Sequence, residues 1–144
     1  MLVLFLDIDG VVNCASTKNR FRGFLGIDKN KAELVRKIVN ETGCSVVLSS
    51  TWRLDDISRD HVRKNVCDFI DVTGDLSGTE FRGSRGEEIR QWIIKHPDVT
   101  RSAILDDDSD FYADQPLFKT RFIGDGLTPE IADLVIKYLN ISKR

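Results

Sequence analysis

Short apolar segments alternate with longer amphipathic segments along the whole chain. The first apolar segment runs from Leu2 to Leu6 and is followed at once by the stretch Asp7 to Gly10. Because it is short and apolar at every position, it is typical of a strand buried on both faces, as in a parallel sheet. Comparable segments predict further strands, at Ser45 to Leu48, Asp68 to Val72, Ser102 to Leu105 and Thr120 to Ile123.

Residues that commonly begin and end helices bound the amphipathic segments. Asp28 is a candidate N-cap and Gly43 a candidate C-terminal stop for the first helix. A second helix is predicted within Asp55 to Cys67. Ser84 and Glu87 have the spacing of a capping box, which predicts a third helix that ends before Pro97. Thr128, followed by Pro129, begins the fourth.

The spacing of apolar residues predicts which helix faces are buried. The expected inward positions are Leu34, Val35, Ile38 and Val39 in the first helix, Ile57, His61, Val62 and Val66 in the second, Ile89, Trp92 and Ile93 in the third, and Ile131, Leu134, Val135, Tyr138 and Leu139 in the fourth. The stretch from Cys14 to Ile27 has two glycines and no clean period, and it predicts a loop or short hairpin.

Alternation of strands and helices predicts a three-layer α/β/α sandwich with a Rossmann-like, mainly parallel five-stranded sheet. The length of 144 residues is expected to form one domain, residues 1–144, with no large cap domain.

The net charge of −2 gives no global field of the kind that marks nucleic-acid binders. Three cysteines without a CxxC pair, and an N-terminal apolar run too short for a signal peptide or span, predict a cytoplasmic protein without a membrane partner. No obligate protein partner is evident.

Polar side chains follow three of the predicted strands. Asp7 and Asp9 follow the first, Ser49 and Ser50 the second, and Asp106 with Asp107 the fourth. The carboxyl ends of parallel strands lie at one edge of a sheet, so these groups are expected to converge there. Gly10 allows the backbone to turn sharply beside them.

Together these residues resemble the haloacid dehalogenase (HAD) superfamily of phosphotransferases. The stretch Asp7 to Val12 matches its first motif, DxDG followed by Val and an apolar residue. Ser49, with Ser50 as an alternative, fits the second motif. Arg85 fits the third, where a typical member has Lys. Asp106 and Asp107 fit the fourth. Segments around Ser49 to Arg53, Arg85 to Ile89 and Leu105 to Asp108 are similar to the HAD-like domains of RNA-repair proteins and to the phosphatase half of polynucleotide kinase-phosphatases.

The resemblance implies a phosphatase that works through an aspartyl-phosphate. Asp7 would be the nucleophile and Asp9 the general acid and base. Ser49 and Arg85 would bind the phosphoryl oxygens. Asp7, the backbone carbonyl of Asp9 and Asp107 would hold Mg²⁺, with Asp106 as a further ligand or as a residue that orients the others.

The expected substrate is a phosphorylated molecule that reaches an open site. Removal of 3′-phosphates from nucleic-acid ends is one specific hypothesis, with Arg22, Ser50 and Arg53 as substrate-binding candidates; aromatic and basic neighbours at Arg20, Phe21, Phe24 and Trp52 would support it. A phosphatase of a small metabolite or nucleotide is an alternative. A receiver or binding domain that accepts a phosphoryl group without turnover is another, although the middle strand ends in Val-Thr-Gly rather than in an aspartate.

Overall fold

The computed structural model describes residues 1–141. Within these residues, the strands are β1 (Leu2–Leu6), β2 (Arg20–Phe21), β3 (Phe24–Leu25), β4 (Ser45–Leu48), β5 (Asp71–Val72), β6 (Arg101–Asp106) and β7 (Leu117–Lys119). Five of them form one parallel sheet in the order β5-β4-β1-β6-β7, and β2 and β3 form a separate antiparallel hairpin. The α-helices in the described part of the chain are α1 (Lys29–Thr42), α2 (Asp56–Asn65), α3 (Arg85–Ile94) and α4 (Pro129–Leu139). One turn of 3₁₀ helix, Thr51–Leu54, precedes α2.

Helices cover both faces of the sheet, but unequally. The larger core lies between the sheet and α1, α2 and α4, where Leu4 and Leu6 of β1 are buried against residues such as Val35 and Val135. A smaller core on the opposite face contains Phe5, Ile104 and the α3 residues Ile89 and Trp92. This arrangement confirms the predicted α/β/α sandwich with a Rossmann-like parallel sheet.

The predicted end signals of α1 and α4 are confirmed, and that of α3 is confirmed in part. Asp28 accepts a hydrogen bond from the Asn30 N–H, and Gly43 ends α1 with a φ of 68°. The Thr128 hydroxyl accepts from the Ile131 N–H, with Pro129 in the first turn. The capping box is only half formed, because Ser84 accepts from the Glu87 N–H at 3.4 Å while the Glu87 carboxylate binds Tyr112 and Gln91 instead.

Two apolar residues predicted to face inward are exposed. Ile57 in α2 is 60% exposed and Leu134 in α4 is 56% exposed. The buried faces are set by Ser58 and Val62 in α2, and by Ala132, Val135 and Leu139 in α4. Adjacent helical residues differ by about 100° in direction, so Ile57 and Leu134 lie beside those faces rather than on them.

The predicted last strand was also wrong in position. It was expected at Thr120 to Ile123, whereas β7 is Leu117–Lys119 and Ile123 is 74% exposed. Proline is tolerated at the start of an edge strand because the missing N–H faces away from the neighbouring strand. Here the carbonyl of Pro116 accepts from the Ile104 N–H and begins the pairing.

No helix in residues 1–141 combines the length and the apolar character that crossing a bilayer would require.

Candidate active site

Polar residues form a row across the carboxyl edge of the sheet. Leu6 of β1 pairs with Leu48 of β4 and Leu105 of β6, so the next residues, Asp7, Ser49 and Asp106, lie side by side. The ladder continues through them, since the Ser49 N–H donates to Leu6 and the Asp7 N–H to Leu105. Side chains in register on a parallel sheet point to the same face. Here it is the face covered by α3, and the predicted convergence of these strand ends is confirmed.

Three carboxylates meet at this edge. Asp7 is 3% exposed, Asp106 is fully buried and Asp107 is half-buried. One oxygen from each of the three lies within 4.8 Å of the other two. Carboxylates this close and this buried repel each other strongly unless a cation or hydrogen-bond donors compensate their charge.

Arg85 supplies part of that compensation. Its guanidinium lies 3.0 Å from Asp7 Oδ1 and 3.1 Å from Asp106 Oδ2, and it also donates to the Ser49 carbonyl at 3.1 Å. Arg85 is the first residue of α3, and its backbone N–H donates to the Asp110 carboxylate. The start of α3 thus delivers one cation onto the ends of β1, β4 and β6.

Burial and the charges of neighbouring groups shift the pKa values of the residues in the cluster. Burial, reinforced by the charge of Asp106, raises the pKa of Asp7 well above its ordinary value, and Arg85 opposes that rise. Burial and Asp106 also raise the pKa of Asp107. For Arg85, burial favours the neutral form, but the charges of Asp7 and Asp106 outweigh it and raise the pKa of the guanidinium. The cluster is therefore short of positive charge.

Of the two candidate serines, Ser49 has the available hydroxyl. Its side chain is 1% exposed, and its Oγ has no hydrogen-bond partner among the residues that the structure describes. Ser50 instead caps the 3₁₀ turn, where its Oγ accepts from the Trp52 N–H at 3.2 Å. An unpartnered buried hydroxyl is costly, so a group that accepts from Ser49 would be stabilised here.

Asp9 has very different surroundings from Asp7. It is exposed, and each of its carboxylate oxygens accepts one hydrogen bond, from Asn13 Nδ2 at 2.9 Å and from Trp52 Nε1 at 3.2 Å. Asn13 is fully buried. Its Oδ1 accepts a hydrogen bond from the Gly10 N–H, and its Nδ2 also donates to the carbonyl of Gly26. Asn13 was not among the predicted site residues, and Trp52 was named only as an aromatic neighbour of the substrate, not as a partner of Asp9. Asn13 lies in the conspicuous N-terminal stretch, but no sequence signal connects Trp52 to Asp9.

Gly10 brings the backbone against the carboxylates. Its φ is +85°, and a Cβ at this position would collide with the carboxylate of Asp107. Its carbonyl accepts a 2.6 Å hydrogen bond from the Thr120 hydroxyl. Both the conformation and the space therefore require glycine.

An open cavity of about 490 Å³ adjoins Asp9. The β2–β3 hairpin lines it with Phe21, Arg22 and Phe24, and Trp52, which is stacked on Phe21, lines it as well. Arg22 is 49% exposed and forms an ion pair with Asp55 at 3.0 Å. The substrate-binding candidate Arg22 thus lies at the site, with its charge shared with Asp55.

Arg53 occupies a buried position. Its side chain is 5% exposed and forms an ion pair with Glu88 at 3.2 Å. It also donates to the backbone carbonyls of Thr73 and Ser50. These contacts favour a packing role for Arg53 over the predicted substrate-binding role.

The donor set fits a hard divalent cation. Asp7, Asp106 and Asp107 offer only oxygen ligands, which Mg²⁺ prefers, and a single guanidinium does not balance three carboxylates. The Asp107 carboxylate packs directly against the backbone of Gly10, so Gly10 borders the carboxylate cluster on that side.

The family model described as "HAD domain in Swiss Army Knife RNA repair proteins" matches residues 3–130. The chain belongs to this family. Comparison with curated proteins and with solved structures gave no match. Membership confirms the resemblance to the HAD-like domains of RNA-repair proteins. It also supports, at the level of the family, a phosphatase-type hydrolase that uses Mg²⁺ and a nucleic-acid substrate.

Proposed function

We propose that this HAD domain is a Mg²⁺-dependent phosphomonoesterase that forms an aspartyl-phosphate on Asp7 and removes 3′-phosphates from nucleic-acid ends. The observation that supports it best is the contact between the buried Asp7 carboxylate and Arg85, beside Asp106 and Asp107. A carboxylate that is desolvated and held by a cation in a carboxylate cluster is suited to attack phosphorus once the remaining charge is balanced.

In the first step an oxygen of Asp7 forms a bond to phosphorus and the ester oxygen leaves. Asp9, two residues further on, donates a proton to that leaving oxygen. In the second step Asp9 takes a proton from water, and the hydroxide displaces Asp7 from phosphorus to release inorganic phosphate. The Asn13 and Trp52 donors hold the Asp9 carboxylate in place for both transfers.

Ser49 and Arg85 bind the phosphoryl oxygens. The free Ser49 hydroxyl donates to one of them, and the Arg85 guanidinium, already between β1 and β6, balances their charge. Asp7, Asp106 and Asp107, with the backbone carbonyl of Asp9, are the residues that would hold Mg²⁺. When bound, Mg²⁺ offsets the negative charge that otherwise separates a phosphate from these carboxylates.

Nucleic acid is the substrate class that family membership favours, and the aromatic side chains around the cavity beside Asp9 are consistent with it. The site is open to large molecules, because the chain between β1 and α1 forms only the short β2–β3 hairpin, which lines the cavity without forming a cap domain over it.

The test is a panel of phosphomonoesters assayed with Mg²⁺: p-nitrophenyl phosphate, mononucleotides, sugar phosphates and 3′-phosphorylated oligonucleotides. The expected result is metal-dependent release of phosphate, fastest from the oligonucleotide 3′ ends and lost in Asp7→Asn. Faster hydrolysis of a mononucleotide or sugar phosphate would replace the nucleic-acid substrate by a small metabolite. A stable phosphoprotein without turnover would replace the phosphatase by a receiver domain.

A further inference from the structure

The β2–β3 hairpin presents aromatic rings to the cavity beside Asp9. Phe21 and Phe24 are directly paired across the hairpin, so their side chains point to the same face. The two residues between them, Arg22 and Gly23, have φ values of 54° and 83°, as a tight two-residue hairpin turn requires. The turn therefore fixes both rings on the side of the cavity.

The two rings have different environments. Phe21 is stacked on His61, with ring centroids 3.9 Å apart, and on Trp52 at 5.2 Å. Phe24 also borders the cavity but is 78% exposed. Its ring is therefore a large apolar surface at this site that residues 1–141 leave mostly uncovered.

The position of the cavity indicates which part of the substrate it would bind. Asp9 lies on its edge, and in the proposed reaction Asp9 faces the leaving oxygen. Phosphate is held on one side of Asp9, by Asp7, Ser49 and Arg85, so the group released from phosphorus extends to the other side, into this cavity. Ligand pockets have volumes of about 300–1,000 Å³, and this cavity is about 490 Å³.

We infer that this cavity is the subsite for the 3′-terminal nucleoside, whose unpaired base stacks on Phe24; the inference rests on the proposed phosphatase function. Flat aromatic rings favour bases that are free of their own stack and partner. Arg22 shares its charge with Asp55, whereas the Phe24 ring is uncommitted, so we expect recognition here by stacking more than by charge. The preferred substrate is then a single-stranded 3′-phosphate end.

Three oligonucleotides of one sequence, each with a 3′-phosphate, test this. The first ends in an unpaired adenosine, the second in an abasic ribose, and the third has the same adenosine paired in a blunt duplex. We expect wild-type kcat/KM to be about tenfold higher for the first than for the other two, since stacking of one base contributes about that factor.

The Phe24→Ala variant should lower kcat/KM about tenfold for the unpaired adenosine end and leave the abasic end unchanged. Phe24→Trp should retain the preference, and Phe24→Leu should lose most of it while keeping apolar bulk at the hairpin. Phe81→Ala is the matched control, because Phe81 is also an exposed phenylalanine but borders a different cavity, with Trp92 and His96. It should behave as wild type.

The outcomes separate the two proposals. If wild-type protein with Mg²⁺ hydrolyses none of the three ends and no p-nitrophenyl phosphate, the proposed function fails. If it hydrolyses all three ends with equal kcat/KM, or if Phe24→Ala slows the abasic and adenosine ends equally, the phosphatase stands and the nucleoside subsite is overturned.

Discussion

Asp7 and Asp9 are two residues apart, yet they lie in opposite environments. Asp7 is buried in a carboxylate cluster and held by the charged Arg85, whereas Asp9 is exposed and held by the neutral donors Asn13 and Trp52. The sheet fixes the carboxylates of the first region, since Asp7 and Asp106 lie at the ends of paired strands, and the start of α3 places Arg85 against them. In the second region, the loop after β1 and the 3₁₀ turn supply the donors that hold Asp9. In the proposed mechanism, chemistry at phosphorus depends on the buried region and substrate choice on the exposed one.

The largest expected effect is in the buried region. Asp7→Asn should lower kcat/KM by at least about 10³-fold, because an amide cannot attack phosphorus in place of the carboxylate. The free energy of unfolding should stay within about 1 kcal/mol of wild type, since Arg85 keeps Asp106 as a partner and the cluster loses one of its repelling charges. Steady-state kinetics and urea unfolding measure the two quantities. Asp108→Asn, an exposed neighbour, is the control and should retain activity; equal losses in both variants would contradict the assignment of Asp7.

Arg85→Met should affect both activity and stability. We expect kcat/KM to fall about 10²-fold and the free energy of unfolding to fall by about 2 kcal/mol, because Asp7 and Asp106 are left without their cation. Arg85→Lys should recover part of each. Arg90→Met removes an exposed arginine from the same helix and is the matched control. A stable, fully active Arg85→Met protein would remove Arg85 from the site.

Addition of Mg²⁺ should stabilise the wild-type protein. At free Mg²⁺ about a hundred times the dissociation constant the gain is about 2.7 kcal/mol, measured as a rise in Tm. Asp107→Asn should reduce this shift and Asp108→Asn should preserve it, because only Asp107 belongs to the carboxylate cluster. A similar rise with KCl at equal ionic strength would indicate screening rather than binding at this site.

Two glycines sharpen the contrast between the regions. Gly10 and Gly23 have nearly the same φ, +85° and +83°, but a Cβ at Gly10 would meet Asp107 and one at Gly23 would meet nothing within 4 Å. Gly23→Ala should cost about 1 kcal/mol of stability from backbone strain alone, with activity on p-nitrophenyl phosphate retained. Gly10→Ala should cost at least about 1 kcal/mol more and abolish most activity. Equal effects would mean that strain, not the fit against Asp107, explains Gly10.

The smallest expected effect concerns the support of Asp9. Trp52→Phe keeps a ring beside Phe21 but removes the N–H that binds Asp9, so kcat on p-nitrophenyl phosphate should fall about fivefold, the value of one such hydrogen bond. Trp92→Phe removes a comparable bond, to Asp71, on the α3 side of the sheet. It should lower Tm and leave kcat unchanged. A lower kcat in both variants would point to a general loss of packing.

The sequence was most informative where the proposed site is built from strand ends. Asp7, Ser49 and Asp106 could be expected to meet because parallel strands in register bring their carboxyl ends together. The choice of Ser49 over Ser50 needed coordinates, since only the local turn shows that the Ser50 hydroxyl is already used as a cap.

Contacts between distant segments could not be predicted in the same way. Trp52 is 43 positions from Asp9, and its role depends on how the 3₁₀ turn places an indole over the first loop. Arg53 looked available for substrate, but its pairing with Glu88 depends on how α3 packs. The last strand was misplaced because two neighbouring segments, Leu117–Lys119 and Thr120 to Ile123, have similar apolar character, and only tertiary packing decides between them.

The row of polar residues at the sheet edge also bears on how the strands find their correct pairing during folding. A slip of β1 by one residue would turn Asp7 to the opposite face, toward the apolar core that contains Leu4 and Leu6. An unpaired carboxylate there costs several kcal/mol, so mispaired sheets are penalised strongly. The aspartates proposed to act on phosphate therefore also favour the native alignment of the sheet over its misfolded neighbours.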